Sequence, residues 1–148
     1  MKTVLDKATR DELVARIHSL TESSTAQWGQ MNIYQMLKHC TLADEMYLGT
    51  KKYNRTFMGW LFGKIAIKNM LKDETPIARN EPTSHYFKVS ETSGDVSAEK
   101  KKWADLIEAY ADYTNPDFKH WFFGKMTKEQ VGLFAYKHAD HHLRQFNV

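Results

Sequence analysis

Three helix start signals recur along this chain, each followed by apolar residues at helical spacing. Thr9, Asn32 and Thr127 each stand three residues before a Glu or Gln. In such a pair, the first side chain accepts a hydrogen bond from a free backbone N–H of the opening turn, and the second can reach back. Behind each pair, apolar residues recur every three or four positions and do not alternate. The pattern therefore predicts three amphipathic helices.

Two further segments have the periodicity of helices. Residues 56–71 are rich in large apolar side chains and carry lysines four residues apart, at Lys64, Lys68 and Lys72. In residues 97–113, apolar side chains again recur every three or four positions. Pro116 then prevents the helix from continuing. The stretch 73–95 is long for a loop, which predicts that it is functional or mobile. Its residues 86–89 resemble a short strand.

These segments predict a single all-α domain spanning 1–148. With only 7 glycines and 3 prolines, the chain has few of the breaks that many short strands would need. The fold class that we expect is a bundle of four or five helices. The apolar side chains of 56–71 should then pack into the bundle or a dimer, with its lysines in water.

Charge and cysteine content exclude several kinds of function. The chain has 21 basic and 18 acidic residues, which is too small an excess to predict nucleic acid as a partner. One cysteine excludes an internal disulfide framework and a multi-cysteine zinc site. The sequence has no apolar run typical of a signal peptide or of a membrane span, so we expect a cytoplasmic protein without stable membrane association.

Two of the seven histidines have the spacing of metal ligands. His138 and His142 are four residues apart on a predicted helix, so that both imidazoles can reach one ion. Both point towards the core direction set by Val131, whereas His141 lies about 80° away from it and is expected near the rim. Ala139 stands where the zincin motif carries its glutamate base, so this is not a zincin.

His39 is the best candidate for a third ligand. It lies on the apolar face of the second predicted helix, where an imidazole needs either a hydrogen bond or a metal. A core histidine with a satisfied hydrogen bond is the alternative. Gln35 and Gln145 are candidates to support the ligands, and Cys40 is interpreted as a buried core thiol. The remaining histidines are interpreted as one solvated helix position and two loop positions: His18, His85 and His120.

Two blocks of sequence resemble the DinB/YfiT-like superfamily of metalloenzymes. They are residues 32–40, around His39, and residues 123–146, which include His138 and His142. The closest resemblance is to an uncharacterised branch, the DUF1569-like proteins. The resemblance implies a four-helix bundle with up-down-down-up order and an additional short helix, often in a homodimer. It also implies that His39, His138 and His142 bind a divalent metal.

The resemblance also indicates a reaction class, because characterised members use low-molecular-weight thiols. We expect a metal-dependent hydrolase or thiol S-transferase that activates water or a small thiol against a small-molecule substrate. Zinc and nickel suit three imidazoles best, and iron, cobalt and manganese are compatible. Whether His141 replaces or assists His142 stays open. The alternative function is a non-catalytic homodimeric module that uses the basic amphipathic segment 56–72 as a docking surface.

Overall fold

The computed structural model describes residues 1–148 and is mostly helical, as predicted. Its only strands form one short antiparallel ribbon, in which Lys119 pairs with Lys125 and His120 with Gly124. Short 3-10 turns cover His85–Phe87 and Tyr110–Asp112. The main elements are α1 (Lys7–Ser19), α2 (Ile33–Tyr47), α3 (Phe57–Met70), α4 (Val96–Ala109), β1 (Lys119–His120), β2 (Gly124–Lys125) and α5 (Lys128–Gln145).

Two of the three predicted capping pairs form. The Asn32 side chain accepts from the backbone N–H of Gln35 at 2.9 Å, and the Gln35 side chain accepts from the Asn32 N–H at 3.1 Å. Thr127 and Gln130 make the same reciprocal pair at the start of α5. The prediction that Thr9 caps the first helix is wrong, because α1 starts one turn earlier, after Asp6. The backbone N–H of Arg10 already donates to the Asp6 carbonyl, so Thr9 lies inside the helix.

The other two predicted helices form as α3 and α4. The Thr56 side chain caps α3 through the N–H of Gly59, and the Asp95 side chain caps α4 through the N–H of Ala98. The prediction of a strand at residues 86–89 is wrong. Ser84 Oγ accepts from the N–H of Tyr86 at 3.3 Å and closes a 3-10 turn instead. The rest of 73–95 has no regular structure, as expected of a long loop.

The core lies between α1, α2, α4 and α5. α2 packs against α4 and α5, and α1 packs against the same two helices. Trp103 of α4 is completely buried in this core, as are Leu13 and Ile17 of α1 and Leu37 of α2. No helix of the chain is both long enough and apolar enough to cross a bilayer.

α3 lies outside this core, against β2 and the turn that precedes it. The large side chains do not pack into the bundle of their own chain, since Phe57 is 71% exposed, Trp60 66% and Ile65 63%, and packing in a dimer stays a prediction. Only a narrow inner face is buried, at Gly59, Gly63 and Ile67. A Cβ on Gly59 would stand 2.5 Å from the Phe122 carbonyl oxygen, so the close approach of these backbones requires glycine.

Candidate metal centre

Three histidines from two helices meet at one point inside the bundle. His39 lies in the middle of α2, and His138 and His142 lie one turn apart on the facing side of α5. One ring nitrogen from each histidine lies within 4.8 Å of those of the other two. His39 Nε2 and His138 Nε2 are 3.1 Å apart, and the His142 ring centroid is 4.7 Å from that of His39. The predicted trio therefore comes together in the fold.

Hydrogen bonds orient two of the three rings. His39 Nδ1 is 3.0 Å from the Phe87 carbonyl oxygen, and His142 Nδ1 is 2.9 Å from Gln145 Oε1. Both partners can only accept, so each Nδ1 carries the proton and donates it. The Nε2 of each ring is then left with a free lone pair. This is the arrangement that histidine ligands of metals usually have in proteins.

Burial keeps the three imidazoles neutral. Desolvation lowers the pKa of His39, and it lowers the pKa of His138 and His142 well below their ordinary range. Each of these rings also lies near another histidine, and a positive charge on one disfavours a charge on the next. A histidine must be neutral to bind a metal. Because these three rings are already neutral, no free energy is needed to remove a proton before coordination.

The trio fits a bound divalent cation. One ring nitrogen from each histidine lies within 4.8 Å of the other two, and no carboxylate or thiol joins the group. The thiol of Cys40 and the carboxyl group of Asp44 follow His39 on α2, but neither belongs to the trio. Asp44 accepts hydrogen bonds from Trp103 Nε1 and the Tyr110 hydroxyl. Cys40 is fully buried, as predicted, and burial raises the pKa of its thiol.

His141 lies beside the trio without belonging to it. Its Nδ1 is 3.3 Å from the Ile77 carbonyl oxygen, which leaves its Nε2 unprotonated. Its ring centroid is 5.0 Å from that of His142 and 5.8 Å from the Trp28 ring. The guanidinium of Arg79 lies 4.4 Å from the centre of the Trp28 ring. His141 therefore links the trio to two surface segments, as a neighbour and not as a fourth ligand.

Hydrogen bonds attach the segment 73–95 to the two helices that carry the trio. Its Phe87 carbonyl accepts from His39, and its Val89 carbonyl accepts from Gln35 Nε2 at 3.2 Å. At its start, the Lys137 ammonium donates to the carbonyls of Met70, Asp73 and Thr75 at 2.6, 2.7 and 2.9 Å. The segment thus supplies a hydrogen bond to a candidate ligand and is held by both helices that carry the trio.

The candidates outside the trio have different outcomes. Gln145 contacts His142, as predicted, whereas Gln35 caps α2 and holds the loop without reaching a histidine. His18 and His85 are exposed, as expected. The interpretation of His120 as a bystander in a loop is wrong, since it is 4% exposed. Its Nδ1 accepts from the N–H groups of Phe122 and Phe123, and its ring stacks on Phe123, so it stabilises the turn below α3.

Sequence reasoning missed the groups that support the trio from outside its helices. The Phe87 carbonyl, which orients His39, and the Ile77 carbonyl, which contacts the neighbouring His141, are backbone atoms, and no residue type marks a backbone acceptor. Trp28 lies between α1 and α2, and its carbonyl accepts from Gln145 Nε2 at 2.8 Å. Gly29, which follows it, could have drawn attention as a residue that permits unusual backbone, and it has a φ of +81°.

Comparisons with known proteins identify the family but not an activity. No curated protein matches the chain, and no solved structure matches it. One family matches over residues 2–148, and its description is "Protein of unknown function (DUF1569)". Because this match spans nearly the whole sequence, the chain belongs to the DUF1569 family.

Proposed function

We propose that this protein is a metal-dependent enzyme whose divalent cation is held by His39, His138 and His142. The observation that carries the proposal is the orientation of the rings. Hydrogen bonds to Phe87 and Gln145 fix the protons of His39 and His142 on Nδ1, which leaves both Nε2 atoms unprotonated in a cluster whose three ligand nitrogens lie within 4.8 Å of one another. Three histidine nitrogens without a carboxylate suit zinc and nickel best, and iron, cobalt and manganese remain compatible.

A DinB/YfiT-like architecture is part of this proposal. In it, α1, α2, α4 and α5 form an up-down-down-up four-helix bundle, and α3 is the additional helix. The contacts of α2 and α1 with both α4 and α5 support that arrangement. The position of the trio, on two helices in direct contact, also agrees with the metal site that the resemblance implies.

The proposed reaction is hydrolysis or thiol S-transfer on a small molecule. A divalent cation bound by three protein ligands keeps at least one open position, where it acidifies a coordinated water or thiol. His39 and His142 hold their orientation through Phe87 and Gln145, while His141 offers an unprotonated Nε2 beside them as a proton acceptor. The partial solvent exposure of His138 supports an approach of substrate from that side.

Metal analysis by mass spectrometry tests the site. Protein purified without an affinity tag should hold about one divalent metal per chain, and His138→Ala should hold less than about a tenth of that. His18→Ala and His85→Ala are matched controls, because both histidines are exposed and lie outside the trio. Less than about 0.2 metal per chain in wild type, unchanged in His138→Ala, would contradict the proposal.

Thermal shift of the metal-loaded protein tests the substrate class. If a small thiol coordinates at the site, cysteine or glutathione should raise the melting temperature of wild type, since a ligand that binds only the folded state stabilises it. The same thiols should leave the melting temperature of His138→Ala unchanged. A wild type that responds to no thiol would favour the hydrolase over the transferase.

A second candidate function is a non-catalytic module that docks through segment 56–72. The exposure of the apolar side chains of α3 favours it. In this alternative, the metal would stabilise the bundle without turning over a substrate. The homodimer stays a prediction, and sedimentation of the metal-loaded protein tests it.

A further inference from the structure

The outer face of α3 is an apolar surface that this fold does not cover. We define it by six residues whose side chains are between 45% and 71% exposed: Phe57, Met58, Trp60, Leu61, Phe62 and Ile65. Large apolar side chains scattered singly on a surface need no explanation, but a contiguous group indicates an interaction site. These six occupy nine consecutive positions of one helix.

The fold holds α3 firmly by its other side. The N–H of Thr56 donates to the Trp121 carbonyl at 3.0 Å, and Arg55 donates to the Gly59 carbonyl at 3.1 Å. Gly59 and Gly63 let the helix approach the backbone of Phe122 and Phe123 closely. The Lys64 ammonium also donates to the Lys125 carbonyl, so none of the six exposed apolar residues is needed for these anchoring hydrogen bonds. These apolar residues therefore require another explanation.

Positive charge is concentrated on the same segment. Between Glu45 and Asp73 the sequence contains no acidic residue and six basic ones: Lys51, Lys52, Arg55, Lys64, Lys68 and Lys72. The whole chain has a net charge of only +3, so the rest of it is net negative. Charge of one sign beside exposed apolar residues favours a partner that is negatively charged and has an apolar interior.

We propose that the outer face of α3 binds the surface of an anionic phospholipid membrane. The exposed apolar residues lie between Phe57 and Ile65, and the exposed Lys68 and Lys72 follow them, whereas the Lys64 ammonium donates to the Lys125 carbonyl. In an interfacial helix, apolar side chains enter the boundary between headgroups and acyl chains while lysines remain at the phosphates. This differs from the sequence expectation that these apolar side chains pack into the bundle or a dimer.

A second copy of the chain fits this face less well. In a two-fold dimer, the same patch of each subunit meets its equivalent, so Lys68 and Lys72 of both subunits would be brought to one interface. Like charges that face each other across an interface destabilise it. An anionic membrane has the opposite effect, because each lysine near its surface strengthens binding about fivefold.

Co-flotation with vesicles tests the proposal. Metal-loaded wild type should float with phosphatidylcholine vesicles that contain about 30% phosphatidylglycerol at low salt, and much less with pure phosphatidylcholine. Phe57→Ser/Trp60→Ser/Ile65→Ser should reduce flotation about tenfold or more, since it removes the inserting side chains. Lys68→Gln/Lys72→Gln should reduce it by a similar factor, and more salt should weaken binding by wild type.

A matched variant controls for total charge. Lys7→Gln/Lys101→Gln removes one lysine from α1 and one from α4, and the two side chains are 76% and 74% exposed. Neither lysine belongs to α3, so this variant should float like wild type. Circular dichroism of each variant should match that of wild type. No flotation at low salt, or equal flotation of the apolar variant, would overturn the proposal. So would a wild-type dimer that the apolar variant converts to monomer, because the face would then bind a second copy.

Discussion

His142 Nδ1 donates to Gln145 Oε1 at 2.9 Å, and Gln145 Nε2 donates in turn to the Trp28 carbonyl at 2.8 Å. The Gln145 amide is thus fixed at both ends, which determines the rotation and the tautomer of the His142 ring. The N–H of Gln27 also donates to the Gln145 carbonyl at 2.7 Å. The connection between α1 and α2 therefore positions a candidate metal ligand on α5.

Gln145→Leu should weaken metal binding without preventing folding. Leucine keeps the volume of the side chain but cannot accept from His142, so the ring loses the partner that orients it. Loss of such a support typically reduces metal affinity about 10- to 100-fold. Competition with a chelator measures the effect, and Gln30→Ala is the control, since Gln30 is exposed. Equal affinity in Gln145→Leu and wild type would contradict the role given to Gln145.

Gly29→Ala should weaken metal binding through the same glutamine. A Cβ at Gly29 would stand 2.7 Å from Gln145 Nε2 and displace it. Gly49→Ala is a closely matched control, because Gly49 has a φ of +88° and its Cβ would stand 2.7 Å from Asn115 Nδ2, away from the trio. Both variants should lose stability from strained backbone, about 1 kcal/mol or more. Only Gly29→Ala should lose metal affinity in the chelator assay, and an equal loss in both would sink this explanation.

Lys137→Met should release the start of segment 73–95. The substitution removes an ammonium group that donates to three carbonyls, while it keeps most of the buried aliphatic chain. Hydrogen bonds to charged groups contribute about 1.5–3 kcal/mol, so we expect the free energy of unfolding to fall by about 2 kcal/mol. Amide exchange at residues 73–77 should become faster. Lys128→Met, at an exposed position at the start of α5, should change neither quantity.

Asp44 should make stability depend on pH in a direction unusual for a carboxyl group. Burial raises its pKa from 3.8 to about 7, although hydrogen bonds from Tyr110 and Trp103 favour the carboxylate. A pKa raised by folding gives a contribution to stability that is complete below the ordinary pKa and is lost as the pH rises through about 7. Wild type should therefore lose about 3 kcal/mol relative to Asp44→Asn between about pH 4.5 and pH 7.

Urea denaturation of both proteins across this pH range measures the difference. The buried histidines have lowered pKa values and affect stability in the opposite direction, but they are present in both proteins and cancel in the comparison. A difference in unfolding free energy that does not change with pH would show that Asp44 stays charged in the fold.

Local sequence signals predicted well where a short-range interaction decides the structure. Asn32 and Thr127 form their capping pairs, because both partners lie within one turn of the same helix. Thr9 has the same signal and does not cap, since Arg10 makes hydrogen bonds to the Val4 and Leu5 carbonyls and α1 begins one turn earlier. Residues 86–89 have strand-like composition, but no neighbouring strand is available to pair with them.

The sequence by itself determined that the chain is helical and which three histidines come together. Spacing of three and four places side chains on one face of a helix, and the α2 and α5 faces that carry His39, His138 and His142 are apolar enough to be buried together. Only the tertiary structure decided which backbone carbonyls orient those rings, that His120 is buried, and that the outer face of α3 is not. Each of these depends on contacts between segments far apart in the chain, and helical periodicity carries no information about them.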